Sequence, residues 1–235
     1  GFGLVIGIDH DHVEEKNLNR ILNTVKSDAE EKKAKVSSFS DRVNQYRSTP
    51  YFLGIGANLM SREAVIGAAQ ADVIFCCVDT HKGRMLSDRL SAAFLLPLFD
   101  VGVGIPTRKD GEDLAIAEVN GRIDYVRPGG SSLADRGIYS PATLQAEDLA
   151  ESDPKAYEEH VKAGYIDGML EQAPSVITLN MRAASASVME FIARAYPFRH
   201  EPNHRFARTK FMLAEGFEEH TPESGFTVSV LPILA

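Results

Sequence analysis

The chain has 235 residues, a length typical of one domain or of one domain with an elaboration. Its composition, 44% hydrophobic and 25% charged, excludes a wholly disordered chain, a collagen-like fibre and a small disulfide scaffold. Lysine and arginine number 25 and aspartate and glutamate 33, and the resulting net charge of −8 disfavours binding to bare nucleic acid.

The N-terminal segment predicts a short strand followed by a helix. Residues 1–9 form an apolar run that ends in an acid, Asp9, as in a parallel strand that is covered on both faces. Leu18 and Leu22 lie at helical spacing within a polar stretch, and this predicts a helix over residues 17–35.

The middle of the chain predicts a strand–helix–strand unit. A second apolar run begins at Val73 and again ends in an acid, Asp79. A helix over residues 85–96 and a strand over residues 96–104 follow, and this order favours a parallel sheet.

Six further elements are predicted outside these two segments. In chain order they are a strand at 50–55, a helix at 62–70, a hairpin over 115–126 with its turn at Asn120-Gly121, a surface crossover over 138–172, a helix within 174–196 and a last strand at 226–231.

The predicted fold class is α/β, with a Rossmann-like, mostly parallel sheet, helices on both faces, and a C-terminal hairpin or crossover and helix. We expect a nucleotide-binding core over residues 1–125. Residues 126–235 would supply the crossover loop and the C-terminal elements of the same domain.

Acids at two strand ends are the candidates for chemistry. In open α/β sheets, ligands bind outside the carboxyl ends of the strands. One carboxylate there can accept both ribose hydroxyls of a nucleotide, and a second can hold Mg²⁺, which prefers oxygen ligands. Arginine and lysine between residues 20 and 35 could neutralise phosphates. Such acids and lysine-rich helix faces also occur without any ligand, so these residues alone leave both interpretations open.

The string from Asp9 to Arg20 is more specific. It resembles the Asp-x-Asp-x-Val-Glu-x-x-Asn-Leu-Asn-Arg segment of the ThiF/MoeB/HesA family, the adenylating enzymes related to ubiquitin-activating enzyme. Four later segments agree with that family in order and spacing: Lys33-Ala34, Val73 to Arg84, Leu96 to Gly102, and Pro174 to Asn180. The resemblance is weak over residues 36–70 and after residue 200.

The resemblance implies one ATP site and one reaction. The residues of that site would be Asp9 at the ribose, Asn17 and Arg20 at the phosphates with Arg20 at the transferring end, Lys33 (or else Lys35) at the triphosphate, and Asp79 at Mg²⁺ with Thr80 beside it. A substrate carboxylate would attack the α-phosphorus, which gives an acyl-adenylate and pyrophosphate. The carboxylate would be the C-terminal glycine of a small ubiquitin-like or sulfur-carrier protein, and the enzyme would be a homodimer.

Three departures from the family pattern qualify these expectations. Gly1-Phe2-Gly3 resembles the segment just before the family's second strand, so either the glycine-rich strand–loop–helix is missing or the chain is a fragment. Residues 131–135 contain no cysteine where many members carry a first Cys-x-x-Cys pair, which predicts that no zinc is bound. Cys76 and Cys77 lie in an apolar run and are predicted to be buried core residues, which argues against a thioester step.

The remaining expectations concern location and alternative functions. The sequence contains neither a signal-peptide pattern nor an apolar stretch of the roughly 18 residues that span a bilayer, so we expect a cytoplasmic protein without membrane contact. Two alternatives to the main hypothesis stay open, a non-catalytic interaction module that retains the fold and adenylation of a peptide or of a modified-tRNA carboxylate. An NAD-dependent dehydrogenase is disfavoured because the chain lacks the Gly-x-Gly-x-x-Gly fingerprint.

Overall fold

The structure is a computed structural model that describes residues 3–47, 50–110, 113–163 and 176–229. The chain divides into two units, Gly1–Asp72 and Val73–Ala235. The boundary between these units, at Asp72, is not the end of the predicted nucleotide-binding core, which was placed at residue 125. The assignment of that core to residues 1–125 stays a prediction.

The first unit contains a two-stranded parallel sheet and three helices. Its elements are β1 (Val5–Ile8), α1 (Lys26–Glu30), α2 (Lys35–Asn44), β2 (Phe52–Ile55) and α3 (Arg62–Ala69). β1 and β2 pair in register, with Val5 opposite Phe52 and Ile8 opposite Ile55. β1 ends immediately before Asp9, as the sequence predicted, and the predicted helix at 62–70 is confirmed as α3.

The predicted helix over residues 17–35 is wrong. In its place lie a single 3₁₀ turn at Glu15–Asn17, the short helix α1, and the start of α2. Asn23 and Lys32 have φ values of 65° and 48°, in the left-handed region that a continuous α-helix excludes. Leu22, which the helical pattern placed on a buried face, is 49% exposed.

The second unit is built on a five-stranded sheet in the order β3-β4-β7-β8-β9. Its elements, with a separate β5–β6 pair, are β3 (Ile74–Cys76), α4 (His81–Phe94), β4 (Leu98–Gly104), β5 (Thr107–Asp110), β6 (Asp113–Ile116), β7 (Asn120–Val126), α5 (Pro141–Ser152), α6 (Pro154–Lys162), α7 (Ile177–Ala195), β8 (Arg208–Met212) and β9 (Phe217–Thr221). β3 and β4 are parallel, and every later pair in this sheet is antiparallel. The predicted β3–α4–β4 unit is therefore confirmed, with α4 beginning at His81, four residues earlier than expected.

Successive residues of β4 supply two hydrophobic cores, one on each face of the sheet. Phe99 belongs to the core that includes Leu179 and Ala183 of α7. Leu98 belongs to the core that includes Leu133 and Tyr139, with Met85 of α4 packed against it. Because side chains alternate along a strand, this arrangement places helices on both faces of the sheet and confirms the Rossmann-like α/β class.

The predicted hairpin turn at Asn120-Gly121 is wrong, since both residues belong to strand β7. Gly121 lies opposite Phe211 of β8, and a Cβ at this position would lie 2.2 Å from the Phe211 ring. The glycine is therefore needed for side-chain packing and not for a turn. The hairpin that does form near this point joins β5 to β6.

The C-terminal predictions have mixed outcomes. The long helix is confirmed as α7, and the predicted surface crossover carries α5 and α6. The β8–β9 hairpin was not predicted from the sequence. Residues 226–229 form no strand, and residues 164–175 and 230–235 lie outside the described residues. No helix in the described part of the chain combines the length and the apolar character that crossing a membrane requires.

Candidate functional site

The predicted site residues divide between the two units. Four of them, Asp9, Asn17, Arg20 and Lys33, belong to the first unit, and Asp79 and Thr80 belong to the second.

Asp9 begins a loop that the end of the β1–β2 sheet holds in place. Its N–H donates to the Ile55 carbonyl at 3.2 Å, and its Oδ1 accepts the Asp11 N–H at 2.8 Å. The ligand atoms of Asp9, His10 and Asp11 lie within 4.8 Å of one another, so the oxygen and nitrogen donors of a cation site are close together here.

The structure brings the Asp9 loop and the Lys33 segment together. The Val13 N–H donates to the Lys33 carbonyl at 2.8 Å, and the Lys35 N–H donates to the Asp11 carbonyl at 2.9 Å. These backbone hydrogen bonds fix residues 11–13 against residues 33–35, which explains how an acid and a lysine 24 residues apart can serve one site.

Both candidate lysines form ion pairs within the first unit. Lys33 Nζ lies 2.6 Å from Asp41 Oδ2 and 3.8 Å from Oδ1 of the buried Asp28. The hydrogen bond to Asp41 raises the pKa of Lys33, so this lysine stays charged. Lys35 Nζ donates to Asp11 at 2.7 Å, and that hydrogen bond lowers the pKa of Asp11. A phosphate would therefore compete with Asp41 for Lys33.

Asn17 organises the turn that carries Arg20. Its side chain is buried, and its Oδ1 accepts the Glu14 N–H at 3.2 Å. Its carbonyl accepts the Arg20 N–H at 3.0 Å. Arg20 is half-buried and belongs to none of the ion pairs in the described part of the chain, so its guanidinium is available to an anionic ligand.

Asp79 and Thr80 join β3 to α4 in the second unit. Thr80 is the N-cap of α4, and its Oγ1 accepts the Gly83 N–H at 3.1 Å. Asp79 is exposed, and among the described residues its carboxylate neither accepts a hydrogen bond nor joins an ion pair. Its oxygens are therefore open to a ligand such as a cation.

The two cysteines differ in environment. Cys76 is buried, as predicted, and burial raises the pKa of its thiol to about 12. The prediction that Cys77 is also buried is wrong, because this residue follows the last residue of β3 and is exposed.

Glu147 is a functional candidate that the sequence did not indicate. It lies on α5 and is only 5% exposed, and its two oxygens accept the N–H groups of His81 at 2.6 Å and of Lys82 at 2.9 Å. It thus satisfies the free amides at the start of α4, directly after Asp79 and Thr80. Since 66 residues separate Glu147 from His81, its only signal in the sequence is an acid-rich segment.

Replacement of Glu147 by alanine should lower the free energy of unfolding by about 2 kcal/mol, because two helix-start amides lose their charged acceptor. Glu151→Ala is the matched control on the same helix, since Glu151 is itself exposed and, among the described residues, bonds only the side-chain amine of Lys82. That loss should cost less than about 1 kcal/mol. Chemical denaturation followed by far-UV circular dichroism compares the two variants, and equal costs would contradict the capping role.

The comparisons with known proteins identify the family of the chain and proteins of similar fold. The model of the ThiF family matches residues 1–210. The fold is similar to that of E. coli MccB with ATP, at a TM-score of 0.67 and 13% identity, and to that of the microcin C7 biosynthetic enzyme MccB with N-formylated MccA, at 0.68 and 14%. The selenomethionine form of PaaA is similar at a TM-score of 0.52 and 15% identity. No curated protein matches the sequence.

The chain spans about three fifths of the length of these solved structures. The MccB comparisons cover 99% of this chain but 59% and 60% of MccB, and the PaaA comparison covers 92% of this chain and 63% of PaaA.

Proposed function

The chain belongs to the ThiF family, and from this premise we propose that it is an ATP-dependent adenylyltransferase that activates a carboxylate. The observation that carries the proposal is the ordered set Asp9, Asn17, Arg20, Lys33 and Asp79, which lies entirely within the family match at residues 1–210. The fold similarity to a protein whose structure contains ATP supports the choice of nucleotide.

The proposed reaction is one displacement at phosphorus. A carboxylate oxygen of the substrate forms a bond to the α-phosphorus of ATP, the bond between the α-phosphorus and the bridging oxygen breaks, and pyrophosphate leaves with the electron pair. An ionised carboxylate needs no general base. The protein therefore has to align the two reactants and stabilise the charge on the phosphates.

The first unit supplies the nucleotide contacts in this proposal. Asp9 binds the ribose hydroxyls, and Asn17 fixes the turn that presents Arg20 to the phosphates. Lys33 adds a second positive charge, with Lys35 as the alternative. The hydrogen bonds between residues 11–13 and 33–35 support this assignment, because they hold the ribose acid and the lysine segment together.

Asp79 is the proposed Mg²⁺ ligand, with Thr80 beside it. Its open carboxylate fits a hard cation that prefers oxygen donors. When bound at Asp79, Mg²⁺ would supply positive charge beside the phosphates. Arg20 and Asp79 are the residues that we assign to catalysis.

We propose that the carboxylate is the C-terminus of a polypeptide. This polypeptide is either a ubiquitin-like or sulfur-carrier protein that ends in glycine, or a peptide. The peptide alternative is favoured by MccB, whose solved structures include complexes with the peptide MccA. A homodimer is proposed as the working assembly. The modified-tRNA alternative is disfavoured by the net charge of −8, since contacts to phosphates require basic surfaces.

Arg20→Ala should weaken Mg-ATP binding about 10- to 100-fold, because one charge-assisted contact to a phosphate is worth about 1.5–3 kcal/mol. Isothermal titration calorimetry of the parent chain and the variant measures this change. Lys16→Ala is the control, since Lys16 is an exposed cation on the same turn that is paired with Glu14. It should bind Mg-ATP as the parent does.

The same titration separates the proposal from the non-catalytic alternative. An interaction module would bind its partner without any dependence on nucleotide. If the parent chain binds no Mg-ATP, or if Arg20→Ala binds it as tightly as the parent, the proposed nucleotide site is wrong.

A further inference from the structure

A pocket of about 490 Å³ lies on the second unit's sheet, beside the start of α4. Its floor contains Gly102 of β4, Arg122 of β7 and Lys210 of β8, which are direct neighbours in the strand register. His81 and Arg84 of α4 form one wall. We call this set of five residues the basic pocket.

Gly102 gives the basic pocket its charged floor. A Cβ at this position would lie 3.2 Å from two nitrogens of the Arg122 guanidinium. The absence of that atom leaves the space in which Arg122 extends across β4 to Asp100, where the Nη2–Oδ2 distance is 2.7 Å. The same guanidinium also donates to Asp124, so Arg122 is held rigidly by two carboxylates.

Two cationic side chains of the basic pocket, Arg84 and Lys210, have N–H groups that could donate hydrogen bonds to a ligand. Arg84 forms one ion pair in the described structure, from Nε to Asp100 Oδ1 at 3.4 Å, which leaves its terminal nitrogens free. Lys210 is exposed and belongs to no ion pair of the described residues, not even with Glu219, its cross-strand neighbour. Glu118 is the acid that lines the same space.

Two further arginines join the ion-pair network of the basic pocket through Asp124. Arg136 and Arg208 also bind Asp124, at 3.2 Å and 2.8 Å. Four guanidinium groups thus share the two carboxylates of Asp100 and Asp124, and Glu118 and Glu223 nearby offset this excess of positive charge only in part. In a chain whose net charge is −8, such a local excess favours an anionic ligand.

We propose that the basic pocket binds the last residues of an acidic polypeptide, and that Lys210 selects substrates with an acidic side chain near the C-terminus. This inference rests on the proposed adenylyltransferase function. Arg84 binds the terminal carboxylate, because it lies one helical turn after Thr80 and so on the same side of α4 as the Asp79–Thr80 segment. Lys210 binds the acidic side chain.

The sheet geometry sets the spacing between the two anions. Arg84 pairs with Asp100 on β4, and Lys210 lies on β8, two strands away. Neighbouring strands lie about 4.8 Å apart, and Asp100 lies two residues along β4 from Gly102, which is in register with Lys210 through Arg122, so the two anchoring positions are about 12 Å apart. An extended peptide advances about 3.3 Å per residue, which places the acidic side chain about three to four residues before the terminal carboxylate.

Fluorescence anisotropy with N-terminally labelled hexapeptides tests the proposal in the absence of ATP. The probes are Ala-Ala-Asp-Ala-Ala-Gly, the same peptide with lysine or alanine in place of aspartate, and its C-terminal amide. The aspartate peptide should bind about 5-fold more tightly than the alanine peptide, which is about the most that one ion pair with an exposed lysine supplies. It should bind about 10-fold more tightly than the lysine peptide, which places a like charge near Lys210, and than the amide, which lacks the charge that faces Arg84.

Substitutions at Lys210 decide whether this residue is responsible. Lys210→Ala should remove the preference for aspartate over alanine, and Lys210→Glu should reverse the order so that the lysine peptide binds best. Lys155→Ala is the matched control, an exposed lysine on α6 of the same unit, and should retain the preference. Circular dichroism confirms that each variant is folded.

The possible outcomes separate this proposal from the proposed function. Absence of binding by the aspartate peptide, equal binding of all the peptides, or a preference that survives Lys210→Ala would each overturn it. If the peptide preference depends on Lys210 while Mg-ATP does not bind, the acidic-tail specificity stands and the adenylation proposal fails.

Discussion

Replacing Asp79 with alanine is expected to weaken Mg-ATP binding about 100-fold and to abolish the dependence of ATP affinity on Mg²⁺. The reason is that Asp79 is the proposed ligand of the cation, and loss of two charge-assisted interactions of about 1.5 kcal/mol each corresponds to that factor. Titration calorimetry with ATP, in the presence and in the absence of Mg²⁺, measures both effects. ATP–pyrophosphate exchange with a carboxylate substrate should fall at least as far.

The structure predicts that the weaker Mg-ATP binding of Asp79→Ala does not result from a folding defect. Asp79 is exposed, and among the described residues its carboxylate forms no hydrogen bond or ion pair. The cap of α4 is supplied by Thr80 and Glu147 instead. Asp79→Ala should therefore unfold at the same temperature as the parent, to within about 2 °C.

Two companion variants sharpen the test of Asp79. Asp79→Asn keeps the size of the side chain but removes its charge, and it should behave almost as the alanine variant does. Glu215→Ala removes an equally exposed acid between β8 and β9 and should bind Mg-ATP normally. The assignment of Asp79 to the cation would be wrong if its removal left the Mg²⁺ dependence intact.

The sequence predicted those parts of the fold that depend on local apolar pattern. Continuous apolar runs identified β1 and the β3–α4–β4 unit, and acids at the ends of those runs indicated Asp9 and Asp79. The family resemblance added the remaining site residues, and the family model confirms the membership over residues 1–210. The individual roles of these residues remain proposals.

The pattern failed where local conformation or distant contacts decide the structure. Leu18 and Leu22 have helical spacing, but the left-handed residues Asn23 and Lys32 divide the segment into short pieces. Asn120-Gly121 has the composition of a hairpin turn, but Phe211, 90 positions later, occupies the space over Gly121. No rule of local spacing includes a partner at that distance in sequence.

The same limit explains why the ion-pair network of the second unit was not predicted. Asp124 is fully buried, and it accepts hydrogen bonds from Arg122, Arg136 and Arg208. Arg208 lies 84 residues away from it in sequence. In the sequence, these arginines are indistinguishable from surface cations, and only the pairing of β7 with β8 brings them together.

Asp124→Ala should lower the free energy of unfolding of the second unit by about 3–5 kcal/mol, the largest effect that we expect for any single substitution. Removal of one partner of a buried ion pair is strongly destabilising because the other partner is left as an uncompensated buried charge. Here three guanidinium groups lose a carboxylate at once, and two of the residues, Arg136 and Arg208, are only 7% and 9% exposed. Their repulsion adds to the cost of desolvation.

Chemical denaturation of Asp124→Ala beside Glu223→Ala tests this expectation. Glu223 is the control because it also accepts a hydrogen bond from an arginine, Arg127, but the Arg127 side chain is 53% exposed. Its loss should cost less than about 1 kcal/mol, the usual value of a surface ion pair. A cost for Asp124→Ala as small as that for Glu223→Ala would mean that water or neighbouring groups compensate the buried arginines. In that case the network could not provide the rigid, positively charged floor from which the acidic-tail specificity was inferred.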